Sequence, residues 1–465
     1  MTDFAALLVA DRGQDARIIH LVDKKSFEGW LKKRPAEDRA LLGAMHFDGK
    51  TGFAHALLPR GGEFEVVSVV KNAAELSPWC LAKLAETLPE GTYKLAEGEP
   101  GIAMLGWLLG QHRFDDYRST KDEPERGNRV LVSGEAAKID PTVRLAEATA
   151  LVRDLVNTPA ADLGPAALEK ATRDLASETG AQVRVTDGKE LAEGYPLIAA
   201  VGGAASDARA PRLIELEWGK PTDPHVAIVG KGVCFDSGGL DLKAASGMRL
   251  MKKDMGGAAH ALALARLVIG EKLPVHLHLL IPAVENAVSA TAYRPGDIVK
   301  SRKGTFVEID NTDAEGRLIL ADALTKAAEA KPELIIDFAT LTGAARVALG
   351  PDLPAFFSSQ DDLATAALHA SGEADDPLWR MPLWEPYDEM LKSDIADMAN
   401  SANSPMAGCI VAAVFLKRFV PDDIAWAHLD TYAWRDAAKP GRPKGGEALG
   451  LRAIFGLLKD RYLHA

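Results

Sequence analysis

Along the first 113 residues, apolar positions come in short runs, AALLVA from Ala5 and FEVVSVV from Phe64. Runs of this length suit strands, whereas LSPWCLAKLAETL, from Leu76, spaces its apolar residues as a helix does. The alternation predicts a small α/β domain. From Asp115 to Asn128 the chain reads DDYRSTKDEPERGN, charged and turn-rich like a domain connection. VLVS, from Val130, adds one last strand to that domain. From Pro141 onward TVRLAEATALVRDLVN keeps a helical spacing as far as Asn157-Thr158-Pro159, where proline discourages continuation. A helix linking two domains is predicted there.

The remainder alternates strand-like and helix-like segments: HVAIVG, GAAHALALARLVIG, VHLHLLIPAV, TFVEID, GRLILADALTKAAEA and ELIIDFA. That order implies a largely parallel or mixed sheet with helices on both faces. The fold class is α/β. A small N-terminal α/β domain with its linker (residues 1–140) precedes a larger α/β/α domain with a mixed central sheet (residues 141–465). In such sheets ligands sit beyond the carboxyl ends of the strands. Polar clusters fall there: Lys231 follows HVAIVG, Asp313 and Glu315 follow TFVEID, and Thr340 to Gly343 follow LIIDFA.

Composition narrows the function. The chain has 465 residues, too many for one ordinary core, and balances 54 basic against 66 acidic side chains for a net charge of −12. The acidic excess argues against nucleic acid or an anionic membrane as partner. The three cysteines, Cys80, Cys234 and Cys409, have no paired spacing and read as reduced thiols. The N-terminal apolar run carries Asp3 in place of a basic start, which does not suit a signal peptide. No apolar stretch reaches the length of about 18 residues that a membrane span needs. A cytoplasmic location is expected.

Three segments beside buried strands concentrate charge: GKGVCFDSGGLDLK (Gly230 to Lys243), MKKDMGG (Met251 to Gly257) and NTDAEGR (Asn311 to Arg317). Charges next to a core need partners or a metal. Asp236, Asp254, Asp313 and Glu315 offer carboxylate oxygens suited to Mn²⁺, Mg²⁺ or Zn²⁺, and two divalent ions would balance the four. Each segment alone could be a helix cap or turn. FDSGG lacks the Gly-Lys-Ser/Thr of a phosphate loop, and Ser237 lacks the Gly-x-Ser-x-Gly context of a nucleophile. Cys234 and the pair His276 and His278 read as packed structural residues.

Taken together, the three segments resemble the leucyl aminopeptidase (cytosol aminopeptidase, M17) family. NTDAEGRLILADAL looks like its signature, and GKGVCFDSGG, Lys243, MKKDMGGAAH, RPGDIV and DFATLTGAARVALG follow the same order. The resemblance runs from about Leu155 to Trp434, and more weakly into the N-terminal domain. It implies a dinuclear-metal aminopeptidase that removes N-terminal residues from peptides and prefers hydrophobic ones such as leucine. By that resemblance Lys231, Asp236, Asp254 and Glu315 bind one ion, and Asp236, Asp313 and Glu315 the other, as Mn²⁺ or Zn²⁺. Lys231 would ligate as a neutral amine, its pKa lowered by burial and the two cations. Lys243 and Arg317 match the catalytic positions, Arg317 holding a bicarbonate ion as general base. Met251 and Thr340, Leu341, Thr342 and Gly343 match the lining for the first side chain, and the assembly implied is a homohexamer. The sequence departs from the family at Asp241, a charge expected to act on Lys243, and at Ser404-Pro405-Met406 on the pocket rim. A metal-dependent phosphoesterase and a non-catalytic oligomer are the rival readings.

Overall fold

The computed structural model describes residues 2–119 and 127–463. Half of the charged connection expected between Asp115 and Asn128, residues 120–126, therefore lies outside the described residues. The chain forms two compact units, one of residues 1–150 and 437–444, the other of residues 151–436 and 445–465.

The first unit is built on a six-stranded sheet of β1 (Leu8–Ala10), β2 (Arg17–Val22), β3 (His55–Arg60), β4 (Glu63–Val69), β5 (Gly91–Leu95) and β6 (Arg129–Ser133), in the order β1-β6-β5-β2-β4-β3. All pairings are parallel except the β3–β4 hairpin. The last strand is the one expected from VLVS. Tyr93 and Trp107 anchor the core, their ring centroids 5.7 Å apart. Residues 437–444 complete this unit: Gly441 N–H donates to Glu86 Oε1 at 2.7 Å, and the Arg442 guanidinium covers the Trp79 ring at 4.4 Å.

The helix expected from Pro141 begins five residues earlier and spans Ala136–Asn157. Proline near the start of a long helix removes one backbone hydrogen bond, which the remaining turns tolerate.

The second unit carries β7 (Gln182–Asp187), β8 (Arg212–Trp218), β9 (His225–Gly230), β10 (Gly232–Asp236), β11 (His276–Asn286), β12 (Ile298–Lys300), β13 (Phe306–Glu308), β14 (Leu334–Ala339), β15 (Ala355–Ser358), β16 (Trp379–Arg380), β17 (Met398–Ala399) and β18 (Ala425–Asp430). Its nine-stranded mixed sheet runs β16-β15-β18-β14-β9-β11-β8-β7, with β10 also paired to β11. The centre is parallel, β18, β14, β9 and β11 in register, and antiparallel strands lie toward both edges. Ala227 and Val229 of β9 share a core with Leu320 and Leu324 of the helix Glu315–Glu329. Val226 and Ile228, turned to the other face by strand alternation, are equally buried. The helix Gly256–Gly270 packs against the same strands.

TFVEID departs from expectation. Only Phe306–Glu308 is extended, and it pairs with β12 and β17 in a separate three-stranded sheet. The backbone turns away because Asn400 Oδ1 captures the N–H groups of Asp310 and Asn311 at 2.8 and 3.1 Å.

Candidate metal centre and active site

The central parallel strands end at one place and deliver their following residues to it. Lys231 comes directly after β9, its N–H bonded to Phe338 O at 3.0 Å. Asp236 closes β10. Asp254 sits in the 3-10 helix Met251–Met255, and Glu315 opens the helix Glu315–Glu329, where the positive end of the helix favours a carboxylate. The approach is tight at Gly316, where a Cβ would come within 2.7 Å of Lys231 Nζ. Only glycine leaves that space.

The charges interlock. Lys231 Nζ is 2.8 Å from Asp254 Oδ2 and 2.9 Å from Glu315 Oε1. Lys243 Nζ is 2.8 Å from Asp236 Oδ2 and also contacts Asp313 Oδ1. Ligand oxygens of Asp236, Asp313 and Glu315 all lie within 4.8 Å of one another. Burial disfavours the Lys231 ammonium, yet Asp254, Glu315 and Asp236 outweigh it and raise its pKa. Among protein groups alone, its shift is thus the reverse of that expected with two cations beside it. Burial likewise opposes the Lys243 ammonium and is outweighed by Asp236 and Glu315. Burial, then repulsion from Asp236, pushes Glu315 well up and Asp313 to about 6. Burial lowers Arg317 to about 10, which leaves it charged at neutral pH.

The donor set suits divalent cations. Oδ2 of Asp254, Oε1 of Glu315 and Oδ1 of Asp313 are buried and accept no well-formed hydrogen bond, although a lysine lies at ion-pair distance from each. Buried carboxylate oxygens are ordinarily hydrogen-bonded. Four carboxylates against two lysines leave negative charge and free lone pairs, the requirement of a hard-cation site.

One cavity of about 560 Å³ is lined by all the metal-ligand, catalytic and first-side-chain positions that the resemblance implies: Lys231, Asp236, Lys243, Met251, Asp254, Asp313, Glu315, Arg317, Thr340, Leu341, Thr342 and Gly343. Arg317 Nη1 donates to Asn400 O at 2.8 Å. Thr340 Oγ1 donates to Asp254 Oδ1 at 2.7 Å. Ser404, Pro405 and Met406 are not in the lining, which passes through Ser401 and Gly408, so the rim expected there is formed by their neighbours. Asp241 has a second task. Its Oδ2 accepts from Thr312 N and Oγ1 at 2.7 and 3.0 Å, so the carboxylate also braces the loop that carries Asp313.

Sequence reasoning missed the clamps. Asn286 Nδ2 donates to Asp236 Oδ1 at 2.8 Å and to Thr312 O at 3.0 Å. Lys253, Arg346, Asp430 and Tyr432 also line the cavity. Lys253 stood in MKKDMGG, and Asp430 and Tyr432 in WAHLDTYAW. Cys234 is buried, its thiol pushed up by burial. His276 and His278 stack beside His225, outside the cavity lining.

Residues 150–455 match the catalytic domain of the cytosol aminopeptidase family, and residues 18–126 match the N-terminal domain of M17 aminopeptidases. The chain belongs to the cytosol aminopeptidase family. It is 44% identical over 374 residues to a probable cytosol aminopeptidase of Syntrophotalea carbinolica, an alignment covering 77% of this chain and 74% of that one. The cytosol aminopeptidase of Coxiella burnetii superposes with a TM-score of 0.92 at 45% identity, covering 98% and 99% of the two chains. The bottromycin maturation enzyme BotP, solved in complex with Mn, gives 0.85 at 32% identity, covering 98% and 99%. As a member of this family the chain is a metallo-exopeptidase that hydrolyses peptides and uses divalent metal. Among the described residues, no helix is long and apolar enough to cross a membrane.

Proposed function

We propose that this chain is a dinuclear aminopeptidase of the cytoplasm, with Lys231, Asp236, Asp254 and Glu315 holding one ion and Asp236, Asp313 and Glu315 the other. The observation that carries the reading is the convergence of four carboxylates and two lysines in one cavity, three carboxylate oxygens lacking a proper donor. The manganese in BotP supports Mn²⁺ as an occupant, with Zn²⁺ equally suited to the oxygen and amine donors. Lys231 would shed its proton to serve as a ligand, since an ammonium has no lone pair. When bound, the ions supply Lewis acidity and a lowered pKa for water at neutral pH.

The protein groups divide the remaining tasks. Lys243, facing the cavity from beside Asp236 and Asp313, is placed to donate to the carbonyl oxygen of the scissile bond as negative charge develops there. Arg317, fixed through Asn400 with its Nε unpartnered, would retain a bicarbonate ion that serves as general base. Met251 and the Thr340 to Gly343 backbone would receive the first side chain, an apolar one such as leucine included. The family resemblance further suggests six copies per assembly.

Elemental analysis of protein equilibrated with Mn²⁺ or Zn²⁺ tests the central claim. Two ions per chain are expected. Asp236→Asn and Glu315→Gln should disturb both sites, whereas Asp254→Asn should empty mainly one. Equal loss in all three variants contradicts the assignment.

A further inference from the structure

Lys253 is enclosed but unpaired. It is 5% exposed and lines the cavity, and its ammonium makes no ion pair or hydrogen bond among the described residues. Its Nζ rests 5.2 Å over the ring of Tyr432. The same ring carries Arg346, with Cζ at 4.7 Å, and Arg346 likewise has no ion pair among the described residues. The nearby carboxylates are engaged elsewhere. Asp254 faces Lys231, and Asp430 accepts from Leu341 N, Thr342 N and Thr342 Oγ1 at 2.9, 3.2 and 2.6 Å. A buried cation without a counter-charge is costly, and a second cation on the same aromatic ring compounds the excess. One wall of the cavity thus carries Lys253 and the exposed Arg346 beside Asp430, and the other the carboxylates of the candidate metal centre.

Position gives that wall a role. Lys253 shares the 3-10 helix Met251–Met255 with Met251, and Arg346 lies in the helix Gly343–Leu349, whose first residue ends the pocket backbone. Both cations therefore belong to the elements assigned to the first side chain. Resting on that assignment, we propose that Lys253 and Arg346 receive a carboxylate at the tip of the first side chain, so that N-terminal glutamate and aspartate are substrates alongside leucine. The apolar stem of glutamate would lie along Met251, and the Tyr432 ring would hold the two cations apart at a fixed spacing.

The test is the ratio of kcat/KM for α-glutamyl p-nitroanilide to that for leucyl p-nitroanilide, in the full-length, metal-loaded protein. The wild-type ratio should exceed about one tenth and fall about 10–100-fold in Lys253→Met, the range of one charge-assisted hydrogen bond. Because both rates come from the same protein, partial loss of fold or metal cancels. Should Lys253→Met be too unstable to assay, the same criterion applies to Arg346→Met, whose side chain is exposed. A wild-type ratio below about one tenth, or a drop of less than about tenfold in the variant, overturns the proposal. A parallel arm compares Leu-Gly with its C-terminal amide. If the variant slows only the free acid, the cations serve the far end of a dipeptide and the proposal also fails. A wild type inert toward both anilides would overturn the pocket assignment itself.

Discussion

Lys243 and Arg317 occupy the same cavity but are held by different partners, which gives them separable signatures. Lys243 bridges Asp236 and Asp313, while Arg317 is fixed by Asn400 O and lies 6.0 Å from the Phe415 ring. Truncating either to alanine should leave the bound metal in place by elemental analysis. The rate should nevertheless fall about 10²–10³-fold, the usual cost of one lost donor to a developing oxyanion. Stimulation by bicarbonate after exhaustive degassing should persist in Lys243→Ala and vanish in Arg317→Ala. Metal loss in Lys243→Ala would mean that the lysine mainly keeps its two carboxylates apart. The charged residues of this site were legible because charge beside a buried strand is a costly pattern that stands out in sequence. Asn286 and Asn400 were not. Their partners include backbone atoms far along the chain, Thr312 O for one and Asp310 N–H for the other, and asparagine in a loop carries no spacing that distinguishes a clamp from an exposed turn.

The helix Gly256–Gly270 depends on the protonation of one residue. His260 Nδ1 is 2.7 Å from Gly256 O, and Nε2 accepts from Leu449 N–H at 3.0 Å. That arrangement requires a neutral ring with its hydrogen on Nδ1, since a second N–H would face the Leu449 donor. Burial lowers the pKa of His260 and outweighs the raising influence of Gly256 O, Asp376 and Glu447. The sign follows. A folded-state pKa below the unfolded value of about 6.5 leaves stability intact above that pH and erodes it as the pH falls toward the folded value, because only the unfolded chain readily takes the proton. Chemical denaturation of wild type and His260→Gln across pH 5 to 8 isolates this contribution. The wild-type advantage should shrink below pH 6.5 by up to about 1.4 kcal/mol per unit. A constant difference would rule out the neutral-ring account. This helix was easy to read in sequence, as was β14, because both are long and apolar. β13 was misread because only Val307 of its three residues is buried, so its neighbours resembled a core strand in composition but not in setting. The early start of the helix at Ala136 was hidden by a proline that usually marks a boundary.

For the molecule as a whole, the proposed assembly of six copies makes a prediction. Trp379, Trp384 and Ile395 of the second unit are 56%, 54% and 65% exposed, and an interface between copies would be read from a fall in their accessibility on assembly. Light scattering at micromolar concentration should give about six times the 49.7 kDa chain mass. A stable monomer would refute it. The path of the chain has a separate consequence for anyone wishing to study the first unit alone. Eight of its residues, 437–444, are supplied from the far side of the second unit in sequence, and with them come the cover over Trp79 and the bond to Glu86. No single uninterrupted stretch of the coding sequence therefore encodes that unit complete. A fragment cut after residue 150 would bare an indole, and the missing octapeptide would have to be grafted back through a designed loop or added in trans.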